Sequence, residues 1–235
     1  MHANSRPVTS NQSGIHDQLQ ALVERHARCP YRRPIADHSR LGFDTAITAW
    51  QASGSAAPII DAGCGVGWST RKLAQRHPDR FVIGIDQSAD RLERELRWDG
   101  EVPGNHCLVR ADLVDFWRLM LDHAMYPSHH YLLYPNPWPK KSQLARRWHG
   151  HPVFPALLAL GGQIECRSNW KIYIEEFASA VRQLTGVPVH CEPCPLEADA
   201  LTPFEHKYRA SGHALWRCQL QLPMRLASAR TPAES

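Results

Sequence analysis

The segment Pro58-Ile59-Ile60-Asp61-Ala62-Gly63-Cys64-Gly65-Val66-Gly67 constrains the fold more than any other stretch of the chain. A short apolar run leads into three glycines at alternate positions, and residues 68–74 then read as a helix. Strand, glycine turn and helix is the setting a nucleotide-type binding loop requires. Glycine supplies positive φ without steric penalty and lets a ligand approach the backbone. Strand and helix patterns alternate from residue 58 to 185, which predicts a parallel sheet with helices on both faces. Further strands are expected at residues 80–85, 107–110, 130–133, 163–167 and 187–191, with 215–222 as the final hairpin partner. By itself G-x-G-x-G is also a plain tight turn, so its surroundings decide.

Those surroundings are acidic. Asp61 ends the first strand. Asp86 ends the next, about twenty residues past the glycines, where an acid accepts hydrogen bonds from ribose hydroxyls. Asp112, followed by Leu113, ends a third strand, where an acid can hold an adenine amino group. Asp is also a favoured helix N-cap, but three strand-end acids in register favour a ligand. A dinucleotide fold wants G-x-G-x-x-G with pyrophosphate on the helix N-terminus. Here the spacing is shorter and the loop carries no basic residue, which suits a cofactor with an amino-acid moiety and no phosphate. The loop resembles the S-adenosylmethionine loop of Rossmann-like methyltransferases.

A second segment, Tyr134-Pro135-Asn136-Pro137-Trp138-Pro139-Lys140-Lys141, places three prolines in eight residues directly after a strand. Proline fixes φ and cannot donate to a ladder, so the strand ends in a stiff, extended loop that holds a polar side chain in place. Trp138 is expected to pack this loop against the sheet, with stacking on a base as the alternative. With this loop the resemblance narrows to the bacterial tRNA (guanine-N7)-methyltransferase family, over residues 58–220. Asp61, Gly63, Gly65, Gly67, Asp86 and Asp112 match its cofactor motifs, and Pro135 to Lys141 its proline-tryptophan-proline-lysine-lysine loop. Asn169-Trp170 matches its later Asp-Trp segment, and Thr202-Pro203-Phe204-Glu205 its Thr-x-Phe-Glu segment.

The resemblance implies an enzyme with an α/β, Rossmann-like methyltransferase fold: a seven-stranded, mostly parallel sheet, helices on both faces and an antiparallel C-terminal strand. It implies S-adenosylmethionine as cofactor, held by Asp61, Gly63, Gly65, Gly67, Asp86, Asp112 and Leu113, and tRNA as partner. Asn136 would orient the acceptor as the catalytic residue, with Lys140 and Asn169 in substrate contact and Thr202 and Glu205 on a late loop over the site. Two departures bear on the substrate: the family has Asp where this chain has Asn136 and Asn169. A carboxylate only accepts, whereas an amide offers one acceptor and two donors. The basic run after the loop (Lys140, Lys141, Arg146, Arg147, His149) is also interrupted by Ser142-Gln143-Leu144. Asn136-Pro137-Trp138 is similar, too, to the Asn-Pro-Pro-aromatic loops of amino-group methyltransferases. The acceptor is therefore open between tRNA guanine and a small heteroaromatic or amino compound. The complete cofactor set speaks against a non-catalytic RNA-binding relative.

Composition sets the remaining bounds. With 235 residues, 43% of them hydrophobic, the chain can bury a full core. Its net charge of +4 permits RNA binding without demanding it. Arg25, His26, Arg28, Arg32, Arg33, His38 and Arg40 cluster in the N-terminal third, where they can neutralise phosphates. The seven cysteines are odd in number and accompany no apolar signal segment, as expected of a reduced, cytoplasmic protein. Cys191-Glu192-Pro193-Cys194 lacks the second pair a structural zinc requires, and no run approaches a membrane span of about 20 apolar residues. Residues 1–13, rich in Ser, Asn and Gln, are expected to be a disordered tail. A helical, basic extension over 14–56 follows, with helices over 15–27 and from Asp37, the latter with Leu41, Phe43, Ile47 and Trp50 at apolar positions. The methyltransferase domain is expected over 57–222 and a flexible tail over 223–235.

Overall fold

The computed structural model describes residues 5–94, 98, 101–195 and 199–223. Of the tails expected over 1–13 and 223–235, residues 1–4 and 224–235 lie outside the described residues. Strand β1 (Ile59–Ala62) is buried along its whole length, which is why its sequence shows no polar alternation. It pairs in parallel with β2 (Val82–Asp86) on one side and β4 (His129–Leu133) on the other. Beyond these lie β3 (His106–Arg110), parallel to β2, and β5 (Gly162–Ser168), parallel to β4. Strand β7 (Trp216–Leu222) runs antiparallel to β5, and the two-residue β6 (Glu192–Pro193) antiparallel to β7. The order β3-β2-β1-β4-β5-β7-β6 is the mostly parallel, seven-stranded sheet that the sequence implied.

Helices α1 (Leu19–Arg28) and α2 (Asp37–Ala52) precede the sheet. Interleaved with the strands are α3 (Trp68–Arg76), α4 (Ala89–Leu92), α5 (Leu113–Asp122), α6 (Phe154–Ala159), α7 (Lys171–Thr185) and α8 (Pro203–Ala210). Successive strand residues point to opposite faces, so β1 feeds two cores. Ile60 joins Phe43, Phe116, Trp117, Phe154, Tyr173 and Phe177 in the larger. Ile59 joins Leu73, Val82, Leu133 and Leu201 in the smaller. Among the described residues no helix is long and apolar enough to cross a membrane.

The structure corrects several expectations. Residues 187–191 form no strand; pairing starts only at Glu192–Pro193, because Pro188 removes a donor from a run at the sheet edge. Helix α1 starts at Leu19, not residue 15: Ile15 is exposed, and the His16 amide is drawn away to the carboxylate of Glu176. In α2 the buried positions are Ser39, Gly42, Phe43 and Ala46, leaving Leu41 on the outer side at 69% exposure. Residues 5–13, expected to be disordered, lie against the protein, with Gln12 buried. Their order comes from polar contacts that composition does not reveal.

Candidate active site

The strand order reverses at β1, so the loops leaving the carboxyl ends of β1 and β4 part and open a crevice. The glycine loop forms one wall. Gly63, Gly65 and Gly67 take φ of 80°, 61° and 80°. A Cβ on Gly67 would fall 2.5 Å from Leu108, whereas one on Gly63 or Gly65 would meet nothing within 4 Å. Those two glycines face open space and the third packs against β3. The Gly63 and Cys64 amides donate to the Ile85 carbonyl at 2.8 and 3.0 Å, tying the loop to β2.

Asp61, 1% exposed, accepts hydrogen bonds from Ser69 Oγ at 2.6 Å and Thr70 Oγ1 at 2.7 Å, both in the first turn of α3. Burial pushes its carboxyl up to about 6; the two hydroxyls pull it down and the charge of Asp86 adds to the rise. Asp86, also buried, accepts from the Gly65 amide at 3.0 Å, the Ser88 amide at 2.8 Å and the Arg91 guanidinium at 3.1 Å. Asp112 caps α5 through the Val114 amide at 2.9 Å, while its second oxygen meets Arg33 at 2.8 Å. Leu113 follows it, buried. Two buried carboxylates beside an open glycine backbone suit a ligand that is cationic and carries hydroxyls, as S-adenosylmethionine does.

The proline loop leaves β4 beside this crevice. Tyr134 and Trp138 take φ of 53° and 45°, conformations that cost an L-residue about 1–2 kcal/mol each. The surroundings hold them there: the Tyr134 amide donates to the Arg167 carbonyl at 2.9 Å. The Trp138 carbonyl accepts from Arg147 Nε at 3.1 Å and Nη2 at 3.0 Å. Asn136 and Lys140 are exposed. Trp138 is half-buried with the Arg146 guanidinium 4.8 Å from its ring centre, and it is not among the residues packed on the core. Asn169, at the end of β5, lies with Nδ2 3.3 Å from His213 Nδ1.

Residues 55–218 match the model of a protein family described as "Putative methyltransferase". The chain belongs to that family. This methyltransferase is 29% identical over 208 residues to the tRNA (guanine-N(7)-)-methyltransferase of Thiobacillus denitrificans, covering 85% of this chain and 86% of the relative. It is 25% identical to the protein of the same name from Brevibacillus brevis, over 71% of this chain and 81% of that one. Its fold matches the structure of an antibiotic-related methyltransferase with a TM-score of 0.54 at 15% identity, covering 82% of this chain and 97% of the other. The chain is thus a methyltransferase that depends on S-adenosylmethionine.

Several residues expected in the site of the methyltransferase, or on phosphate, already have partners within the protein. Glu205 is fully buried; it accepts from Arg167 Nη1 at 3.1 Å with both oxygens, from the Leu201 amide at 3.2 Å and from Arg209. Thr202 caps α8 through the Glu205 amide at 2.9 Å. Both residues of the late loop are thus engaged within the protein, the Glu205 carboxylate between two guanidiniums. Arg147 and His149, expected in the basic run, are buried. Arg33, expected to meet phosphate, spans Asp112 and Asp115 at 2.8 and 3.0 Å. Cys191 and Cys194 are free thiols that burial pushes up to about 11. No group of three or more His, Cys, Asp or Glu among the described residues is placed to hold a metal ion.

Sequence reasoning missed Ser69, Thr70, Arg91, Arg167 and Glu176. One signal was available: Glu176 interrupts an apolar stripe of α7 made by Tyr173, Phe177 and Ala180. A charge in such a stripe demands a buried partner.

Proposed function

We propose that this methyltransferase transfers the methyl group to N7 of a guanine in tRNA. The observation that carries the reading is the position of the proline loop, which leaves β4 beside the glycine loop with Asn136 and Lys140 exposed. The names of the relatives support it. S-adenosylmethionine supplies an electrophilic methyl on a positively charged sulfur. Asp61 with Gly63, Gly65 and Gly67 holds the amino-acid end, Asp86 the ribose, and Asp112 with Leu113 the adenine.

What the protein must then do is hold the nucleophile collinear with that methyl at near contact. Guanine N7 carries a lone pair and no proton, so no general base is required. As the N7–C bond forms the S–C bond would break, the cofactor leaving as a neutral thioether and its positive charge passing to the ring. The Asn136 amide oxygen and the Pro135 carbonyl set fixed dipoles against that charge. Lys140 meets a phosphate and Asn169 the substrate edge. Thr202 and Glu205 serve by holding α8 and Arg167. A tRNA substrate places the enzyme in the cytoplasm.

Label transfer from methyl-labelled S-adenosylmethionine to unmodified total tRNA, with nucleoside mass spectrometry of the digest, tests the reading. Label in N7-methylguanosine is expected. Cofactor binding without label in tRNA would instead favour a small heteroaromatic or amino acceptor, the reading that the amides at 136 and 169 support.

A further inference from the structure

Residues 5–16 form a strap that is bonded to the proline loop. Ser10 Oγ donates to the Pro139 carbonyl at 2.6 Å, and the Lys141 amide reaches Asn11 Oδ1 at 3.4 Å. Strap and loop together border an open surface depression of about 640 Å³ lined by Thr9, Ser10, Asn11, Lys140, Lys141 and Ser142. Behind it lies a buried polar network. Glu176 on α7 accepts from Arg147, from His149 Nε2 at 2.9 Å and from the His16 amide at 2.9 Å. Arg147 spends its other N–H groups on the Trp138 carbonyl and on the Lys140 carbonyl at 3.3 Å. Gln12 closes the circuit. Its Oε1 accepts from Arg147 Nη2 at 3.0 Å, and its Nε2 donates to Glu176 and to the Gly14 carbonyl at 2.7 Å.

A primary amide accepts from the guanidinium through its oxygen and donates to the carboxylate through its nitrogen at once. Without it, both charged groups lose a partner in a buried site where an unmade hydrogen bond is costly. Trp138 needs that network, because its left-handed backbone is sustained by the Arg147 bonds to its carbonyl. Asn136 stands two residues before it. We propose that Gln12 is a positioning residue for methyl transfer: through Arg147 it fixes the backbone from Trp138 to Lys140, and so the direction in which Asn136 is presented. This rests on the proline loop being the acceptor-facing wall of the site.

The test uses the full chain with Gln12→Ala and the near-isosteric Gln12→Met. Amide hydrogen exchange is expected to rise in peptides covering residues 134–148 in both variants and to stay unchanged over β1 and β2. On tRNA, kcat is expected to fall about tenfold or more, since a displacement of about 1 Å at a reacting group costs up to about 100-fold. The dissociation constant for S-adenosylmethionine stays within about twofold. Placing Gln12→Met in an Arg147→Lys background is expected to add little further loss, because both act through one path. Wild-type exchange in the loop together with wild-type kcat would overturn the proposal. If the unaltered enzyme leaves tRNA unlabelled, the tRNA reading fails, and loop exchange alone decides the role of Gln12.

Discussion

Asp61 is hydrogen-bonded to two hydroxyls and still titrates at about 6, because burial outweighs them. Its folded pKa lies above the ordinary value, so the stability it contributes is full below about pH 4 and is lost as pH rises through about 6. A cation bound against it favours the ionised form. Affinity for S-adenosylmethionine is therefore predicted to rise between about pH 5 and 7, and Asp61→Asn to flatten that rise. Calorimetric titrations of both proteins across this range check it; identical profiles would remove Asp61 from the cofactor site. At Asn136, restoring the family's carboxylate with Asn136→Asp is predicted to raise kcat on tRNA several-fold, on the order of one charge-assisted hydrogen bond. No change in steady-state kinetics would count against contact between residue 136 and the base. The three strand-end acids were legible in the sequence because they follow apolar runs at a regular spacing. Their partners were not: Arg91 and Arg33 reach Asp86 and Asp112 through side-chain geometry that no spacing encodes.

Helix α2 shows how an element can violate its own propensity for the sake of packing. Gly42 sits in its interior, where alanine is better by about 1 kcal/mol, yet a Cβ there would lie 2.3 Å from the Arg110 carbonyl oxygen of β3. Gly42→Ala is therefore predicted to destabilise the protein by about 1–3 kcal/mol, seen as a lower melting temperature; a higher one would show that helix propensity wins. Helix α7 carries the opposite kind of violation, a carboxylate in an apolar stripe. Burial pushes the Glu176 carboxyl up, but hydrogen bonds and charge from His149 and Arg147 outweigh it and hold the group at about 2. Its contribution to stability is present above about pH 4.5 and is lost as pH falls towards 2. Glu176→Gln is predicted to destabilise at pH 7 by about 3–5 kcal/mol, the usual cost of stranding a buried charge. Equal denaturant midpoints for the two proteins would contradict that. The apolar strands were readable as runs, and residues 187–191 misled because valines flank a proline that cannot join a ladder. The strap of residues 5–16 was unreadable for a different reason. Ser, Asn and Gln give the composition of a disordered chain, and its order depends on partners more than a hundred residues away.

Across the whole molecule the parallel sheet follows from the alternation of strand and helix, and the order its strands take brings the glycine and proline loops to one crevice. The electrostatic reach of the protein is less legible, because formal charge does not say which cations are already paired. Arg33 and Arg147 are engaged internally, while Arg25, Arg28, Arg32, Lys140 and Arg146 are exposed. Binding to tRNA is predicted to weaken with salt, and Lys140→Ala to reduce the log–log slope by about one if that ammonium meets a phosphate. An unchanged slope would separate Lys140 from the backbone of the RNA. The most direct test of the central claim compares two tRNA transcripts, one ordinary and one made with 7-deazaguanosine, which replaces the N7 lone pair with a C–H. Methyl transfer from labelled S-adenosylmethionine is predicted to the first and not to the second. Equal labelling of both would place the methyl elsewhere and contradict the assignment to guanine N7.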